Sequence, residues 1–297
     1  MTGRGTEALN DKARGLDTFA PGDILALLGS GQQEAAKAVD GARDAISAAS
    51  ALAANAISSG GKLVYAGAGS SGLMAMADAL ELPGTYGIPR EQIVILLAGG
   101  MANLTDLPGA PEDDIELAKS DADKNIGPGD CVLSISASGS TPYALAIAEA
   151  AKARGAKVIA IANNAGAKLF AGADVAILLE TPPELVSGST RMGAGTAQKI
   201  ALNMFSTLMA IRLGHVHDGY MVNLRADNKK LQIRAARIVS EISGIEFQDA
   251  GRLVEAASGS VKTAILLAAG VEDKSSAEAM LRESGQNVRR ALGMIGR

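Results

Sequence analysis

The sequence predicts an α/β fold: a five-stranded parallel sheet with flanking helices, plus a small C-terminal helical subdomain. Three observations carry that reading. Five short apolar runs alternate with stretches of helical spacing, as a parallel sheet covered on both faces requires. Two of the runs end in loops rich in Gly and Ser, at the strand ends where such sheets bind ligands. Beyond residue 226 the strand-like runs stop and short helical stretches take over.

Residues 1–21 are polar and carry no apolar leader segment, so they read as a mobile or clasping arm. The first 30 residues are set apart as that arm, 31–226 as the sheet domain and 227–297 as the helical part. Residues 31–59 place Ala, Ile and Leu at helical spacing and stop at Ser58-Ser59-Gly60-Gly61. The expected strands are Lys62–Ala66, Gln92–Ala98, Asp130–Ser136, Lys157–Ala162 and Asp174–Leu179. Between them helices are expected over 71–81, 112–125 and 141–154. A polar loop, Glu180 to Thr190, leads into a long helix over about 191–213. Ile200, Leu202, Met204, Phe205, Leu208, Met209 and Ile211 cover nearly all its faces, which predicts burial or a homodimer interface. In the last part Gly244, Gly259, Gly270 and Gly285 mark breaks between short helices.

Composition excludes several classes. A chain of 297 residues, 47% hydrophobic, can bury a sizeable core. A net charge of −4 without a Lys/Arg block argues against a nucleic-acid partner. No apolar run is long enough to span a membrane. The single cysteine, Cys131, sits in an apolar run and has no partner for an internal disulfide, which fits a reducing, cytoplasmic setting.

The loops Ala66-Gly67-Ala68-Gly69-Ser70-Ser71-Gly72 and Ser136-Ala137-Ser138-Gly139-Ser140-Thr141 each join a strand to a helix. Glycine lets backbone approach an anion, and hydroxyls with free N–H groups at a helix start hold phosphate. One such loop alone is an ordinary capped turn. Two at one sheet edge point to a single phosphosugar pocket held by Ser71, Ser138 and Thr141, with Ser70, Ser136 and Ser140 beside them. Gly67, Gly69 and Gly72 imitate a dinucleotide track, but no acidic ribose ligand ends the second strand.

Glu81 and Glu112 both fall near strand ends, and two carboxyl groups in unlike environments can divide acid and base work. Spacing alone favours plainer roles: a solvated helix end for Glu81 and a first-turn acid for Glu112. Glu184, in a proline-flanked loop, shares that ambiguity as a substrate-binding candidate. Arg191, Gln198, Lys199 and Asn203 form a polar stripe on the long helix, with Arg225, Asn228 and Lys229 downstream. They suit substrate or subunit contacts, or plain helix packing. His215, His217 and Asp218 offer metal ligands, but no third cluster joins them, so they read as loop residues and no metal is assigned.

The stretch Ser187-Gly-Ser-Thr-Arg-Met-Gly-Ala-Gly-Thr-Ala-Gln-Lys199, with Leu202-Asn203-Met204 and Ser206-Thr207, resembles the N-acetylmuramic acid 6-phosphate etherases. These belong to the sugar-isomerase (SIS) domain superfamily and are related to the glucokinase regulatory protein. Gly67 to Gly72, Glu81, Glu112-Asp113, Ala137-Ser-Gly139 and Lys262-Thr-Ala-Ile265 add to the resemblance, which runs from Thr6 to the C-terminus. It implies an SIS-type sheet, a cytoplasmic homodimer and a phosphorylated amino-sugar substrate within amino sugar metabolism and peptidoglycan recycling. It also implies cleavage of a D-lactyl ether to give N-acetylglucosamine 6-phosphate and D-lactate. By match to the family, Glu81 is the acid and Glu112 the base. No metal or redox cofactor is implied, because the opened sugar's aldehyde acidifies C2. The chain departs at Leu73, Ser140 and Gly193, where the family is usually basic. Those departures leave open an SIS lyase or isomerase on another sugar phosphate, or a non-catalytic sugar-phosphate-binding regulator.

Overall fold

The computed structural model describes residues 5–224, 226 and 229–296. The expected strands form one parallel sheet: β1 (Leu63–Gly67), β2 (Ile93–Leu97), β3 (Cys131–Ile135), β4 (Lys157–Ala162) and β5 (Val175–Leu178). Their order is β2-β1-β3-β4-β5. Leu63 pairs with Ile93 on one side and with Cys131 on the other. The chain steps outward from β1 to β2, then returns to lay β3 on β1's far side. That reversal opens a crevice at the carboxyl ends of β1 and β3, where both Gly/Ser loops emerge.

Buried aliphatic runs make these strands. Val64, Tyr65, Val132, Leu133, Ile159 and Ile161 have no solvent exposure. Val64, Ala66, Leu96, Val132 and Val158 pack against α4 (Ile115–Asn125) and α5 (Pro142–Ala153) through Ala118, Ala122, Ile147 and Ala151. Alanine there lets helix and sheet approach closely. The alternate residues Leu63, Tyr65, Leu133 and Ile159 point to the opposite face. There α2 (Arg43–Ser58), which lies outside that cluster, contacts β1, β3 and β5. At the amino ends, Asp130 accepts from the N–H groups of Lys62 and Gly127, and Asp174 from that of Val158. Cys131 is buried and free, and burial with Asp174 and Asp130 pushes its thiol up to about 12.

Two helices depart from expectation. Part of the expected arm is α1 (Pro21–Ala36), with Pro21 at its first turn. Of α1 only Ala35 is buried, and Leu25 is 68% exposed. The remainder of the arm, from Gly5 to Thr18, is wound into three short 3₁₀ turns. The helix expected to stop near Glu81 continues as α3 (Gly69–Tyr86), with Pro83 inside it. Proline removes one N–H but its φ is helical, and its own carbonyl still receives the Gly87 N–H at 3.0 Å. The expected helix over 191–213 is α6 (Gly193–Arg212). Ala201, Leu202, Phe205 and Met209 bury one side, while Ile211 is 46% exposed.

The chain divides into two compact units, one of residues up to Leu80 with Arg90–Ser206, the other of Glu81–Pro89 with the residues from Thr207 onward. The second unit holds a two-stranded hairpin, β6 (Val216–His217) and β7 (Tyr220–Met221), where sequence reading expected only loop histidines. Five helices follow: α7 (Lys229–Ser243), α8 (Phe247–Ala256), α9 (Val261–Ala268), α10 (Lys274–Glu283) and α11 (Val288–Met294). Val239, Val254, Val261, Ile265, Leu266, Leu281 and Val288 form its core. Ser260, Asp273 and Asn287 cap α9, α10 and α11 with side-chain oxygens. No helix among the described residues is long and apolar enough to cross a membrane.

Candidate active site

Only Ala68 separates β1 from α3, which begins at Gly69. The backbone there is pressed tight. A Cβ on Gly72 would stand 2.4 Å from Leu97 Cδ1 and 3.1 Å from the Gly67 carbonyl carbon. Gly69 has a φ of +51°, and a Cβ there would stand 2.7 Å from Glu112 Oε1. The missing side chain is what lets the Glu112 carboxylate lie over the start of α3. Ser71 is buried, and Ser70 Oγ lies 3.3 Å from Thr190 Oγ1.

The loop after β3 is a hydroxyl network. The buried Ser136 Oγ is its hub, 2.8 Å from Thr141 Oγ1 and 3.3 Å from Ser138 Oγ, and it accepts the Gly139 N–H at 3.1 Å. Ser138 Oγ accepts from the Ser140 N–H at 3.2 Å and the Ser140 hydroxyl at 3.0 Å. Thr141 stands at the N-cap of α5 but makes no side-chain cap bond. Its hydroxyl turns to Ser136, so the first N–H groups of α5 keep their capacity for an anion. The structure thus brings Ser136, Ser138, Ser140 and Thr141 together.

Glu112 does not open a helix. It lies in a 3₁₀ turn, Ala110–Asp113, while Asp114 takes the capping role by accepting the Leu117 N–H at 2.8 Å. That division leaves the Glu112 carboxylate to Gly69. Burial, with a smaller push from Asp113, holds it above the usual carboxylate range. Glu81, in the second unit, is an exposed residue inside α3 rather than at its end. Glu184 is buried, and each of its oxygens accepts a backbone bond: Oε2 accepts the Gly193 N–H at 2.9 Å and Oε1 the Ala194 N–H at 2.8 Å. It caps α6 instead of presenting a free carboxylate.

The residues at the three neutral positions differ in setting. Ser140 is exposed, Leu73 is half-buried, and Gly193 is buried. A Cβ at Gly193 would meet Glu184 Oε2 at 3.0 Å and Ala35 Cβ at 3.1 Å.

The polar stripe on α6 splits. Asn203 and Ser206 donate to Asp78 Oδ1, each at 2.9 Å, and Tyr65 donates to Oδ2 at 2.8 Å. Burial pushes Asp78 up, against those three donors and the Lys199 charge. This buried knot fastens α6 to β1 and α3, and sequence reading gave Asp78 and Tyr65 no role in it. Gln198 donates to Asn163 Oδ1 at 2.9 Å, just past β4. Arg191 is exposed, Lys229 opens α7, and Arg225 and Asn228 lie outside the described residues. In the hairpin, His217 Nε2 is 3.5 Å from Asp218, which also pairs with Arg289. Among the described residues no three His, Cys, Asp or Glu side chains gather as a metal site. Asn163 and Asn164 could have been noticed from sequence, since they follow a predicted strand at the same sheet edge.

Comparison with known proteins shows the family and the fold. Residues 19–163 match the family model of the SIS domain. An N-acetylmuramic acid 6-phosphate etherase from Deinococcus radiodurans is 41% identical over 292 residues, spanning 98% of this chain and 95% of that protein. One from Streptomyces avermitilis is 40% identical over 294 residues, spanning 98% and 94%. Among solved structures, a Bacteroides fragilis protein carrying a provisional assignment as a phosphosugar isomerase involved in capsule formation superposes with a TM-score of 0.51 at 25% identity. That likeness covers 67% of this chain and 94% of the other.

Proposed function

The chain belongs to the N-acetylmuramic acid 6-phosphate etherase family, and from that premise we propose how its residues divide the reaction. It is a carbon–oxygen lyase that converts N-acetylmuramic acid 6-phosphate to N-acetylglucosamine 6-phosphate and D-lactate. The single observation that carries the assignment of roles is the Glu112 carboxylate, half-buried over Gly69 with a raised pKa. A carboxylate held above its usual range is a stronger base, and it stands at the phosphate-binding edge of the sheet.

In the proposed sequence the sugar ring opens and its aldehyde acidifies the C2–H bond. Glu112 takes the C2 proton. The electron pair forms a C2–C3 double bond as the C3–oxygen bond breaks, and Glu81 gives its proton to the departing lactate oxygen. Water then adds at C3 while a proton returns to C2. The aldehyde supplies the activation, so the scheme calls for no metal or redox cofactor. Ser138, Ser140 and Thr141 hold the phosphate with the N–H groups at the start of α5, and Ser70 and Ser71 serve from the other loop. Glu184 contributes indirectly by fixing the start of α6.

We also propose that the protein is a cytoplasmic homodimer acting in peptidoglycan recycling, with residues 227–297 as its helical subdomain. The nearly bare α1, with Leu25 68% exposed, supports a second copy covering it. A sedimentation run showing only monomer at micromolar concentration would count against the dimer.

The direct test is D-lactate release from N-acetylmuramic acid 6-phosphate, run in D₂O with mass analysis of the sugar product. Release with one deuterium at C2 is the expected result. No release would overturn the assignment. The neutral Leu73, Ser140 and Gly193 favour one second reading, the same C2 deprotonation on a less acidic sugar phosphate. Faster turnover of such a sugar would decide for it.

A further inference from the structure

Asn164 lies two residues past the end of β4, at the same sheet edge as the hydroxyl loops. Its side chain joins two distant segments. Oδ1 accepts the Thr6 backbone N–H at 3.0 Å, and Nδ2 donates to Thr6 Oγ1 at 3.2 Å and to the Ser138 carbonyl at 3.4 Å. The neighbouring Asn163 N–H donates to the Ala137 carbonyl at 3.0 Å, so the turn after β4 is tied to the loop through backbone as well.

The N-terminal partner is held firmly. Thr6 has no solvent exposure. Gly5 has a φ of +75°, and a Cβ there would stand 1.8 Å from Asn164 Oδ1, so only glycine fits. The Thr6 carbonyl accepts the Gly188 N–H at 3.3 Å, and the Glu7 carbonyl accepts the Ser187 hydroxyl at 3.0 Å. Thr190, further along that loop, lies at Ser70. Gly5–Glu7 therefore connects the loop after β3, by way of Asn164, with the loop before α6, which touches the loop after β1.

We propose that Asn164 is a positioning residue for the phosphate site, and that Thr6 fixes its side chain as the buckle of an N-terminal strap. The inference rests on the reading of Ser138 as a phosphate ligand. The Ser138 hydroxyl bonds to those of Ser136 and Ser140, which orders the loop's hydroxyls against one another; a side-chain tie from outside the loop needs a further residue. Asn164 supplies that outer reference. A donor set already in place loses less freedom when the ligand arrives, so the strap acts on binding more than on turnover.

The test measures KM and kcat for N-acetylmuramic acid 6-phosphate in the full-length chain and in Asn164→Ala, Thr6→Val, Thr6→Ser and Ser138→Ala. Thermal unfolding is followed for each. Thr6→Val keeps the buried shape and the backbone N–H but loses the hydroxyl. Asn164→Ala and Thr6→Val are expected to raise KM about 5- to 30-fold with kcat within about threefold, and Thr6→Ser to stay near wild type. Should Asn164→Ala fail to fold, the Thr6 pair decides by the same readout. If Ser138→Ala leaves KM unchanged, the reading of the loop falls. If Ser138→Ala raises KM while the folded Asn164 and Thr6 variants do not, the strap alone falls. Equal loss from Thr6→Ser and Thr6→Val would also overturn it, leaving Thr6 as a fold residue.

Discussion

The loops after β1 and β3 emerge from adjacent strands yet are built on opposite terms. The first is nearly all backbone: Gly67 and Gly72 lie against each other, and the helix starts two residues after the strand. The second spends six residues between strand and helix and fills them with four mutually bonded hydroxyls. Tight backbone leaves room for a foreign carboxylate, and Glu112 occupies it. Hydroxyls can turn to suit a ligand. On the proposed roles, one loop serves the chemistry and the other the grip.

The sharpest test of that division is Glu112→Gln. We expect kcat to fall about 10²- to 10⁴-fold with deuterium exchange at C2 lost and KM little changed. A variant that still exchanges C2 would break the contrast, since the first loop would then hold no base. Glu81→Gln should instead block lactate release while leaving some C2 exchange.

Gly72→Val probes the packed backbone. A side chain 2.4 Å from Leu97 Cδ1 has no room, so the denaturant midpoint should drop by the equivalent of about 1–3 kcal/mol. The matched change in the second loop, Ser140→Ala at an exposed position, should stay within about 0.5 kcal/mol. Similar losses at both would mean that the loops share one construction.

Ser138→Ala should raise KM about tenfold and leave kcat largely intact, the signature of grip without chemistry. Smallest is a pH effect. As the proposed base Glu112 must be ionised, and its pKa is raised, so activity should fail on acidification earlier than for an ordinary carboxylate. Asp113 contributes to that rise, so Asp113→Asn should move the acid limb of kcat/KM to lower pH. No movement would show burial acting alone.

Much of the fold was legible in the sequence, for a physical reason. Parallel strands buried on both faces read as unbroken apolar runs, so β1 to β5 stand within a residue or two of their expected places. The two loops were visible because their residue types are unusual at strand ends. Side-chain roles set by distant partners were not. Glu184 meets Gly193 and Ala194 only after its loop folds back, and Thr6 meets Asn164 across 158 residues. The helix expected over 71–81 runs on through Pro83, since a proline late in a helix costs one hydrogen bond and need not end it. Glu112 read as a helix opener because the sequence does not say that Asp114 is the cap.

Cys131 has a use unconnected with catalysis. It is the only cysteine, and it sits mid-sheet, paired with Leu63 on one side and Lys157 on the other. Cys131 is fully buried and burial pushes its pKa up to about 12, so the closed sheet offers almost no thiolate at pH 7. A maleimide can therefore reach a reactive sulfur only when β3 parts from its neighbours. The chain carries its own stopwatch: the rate of single-site alkylation times the opening of the sheet centre, and a ligand seated at the strand ends should slow it.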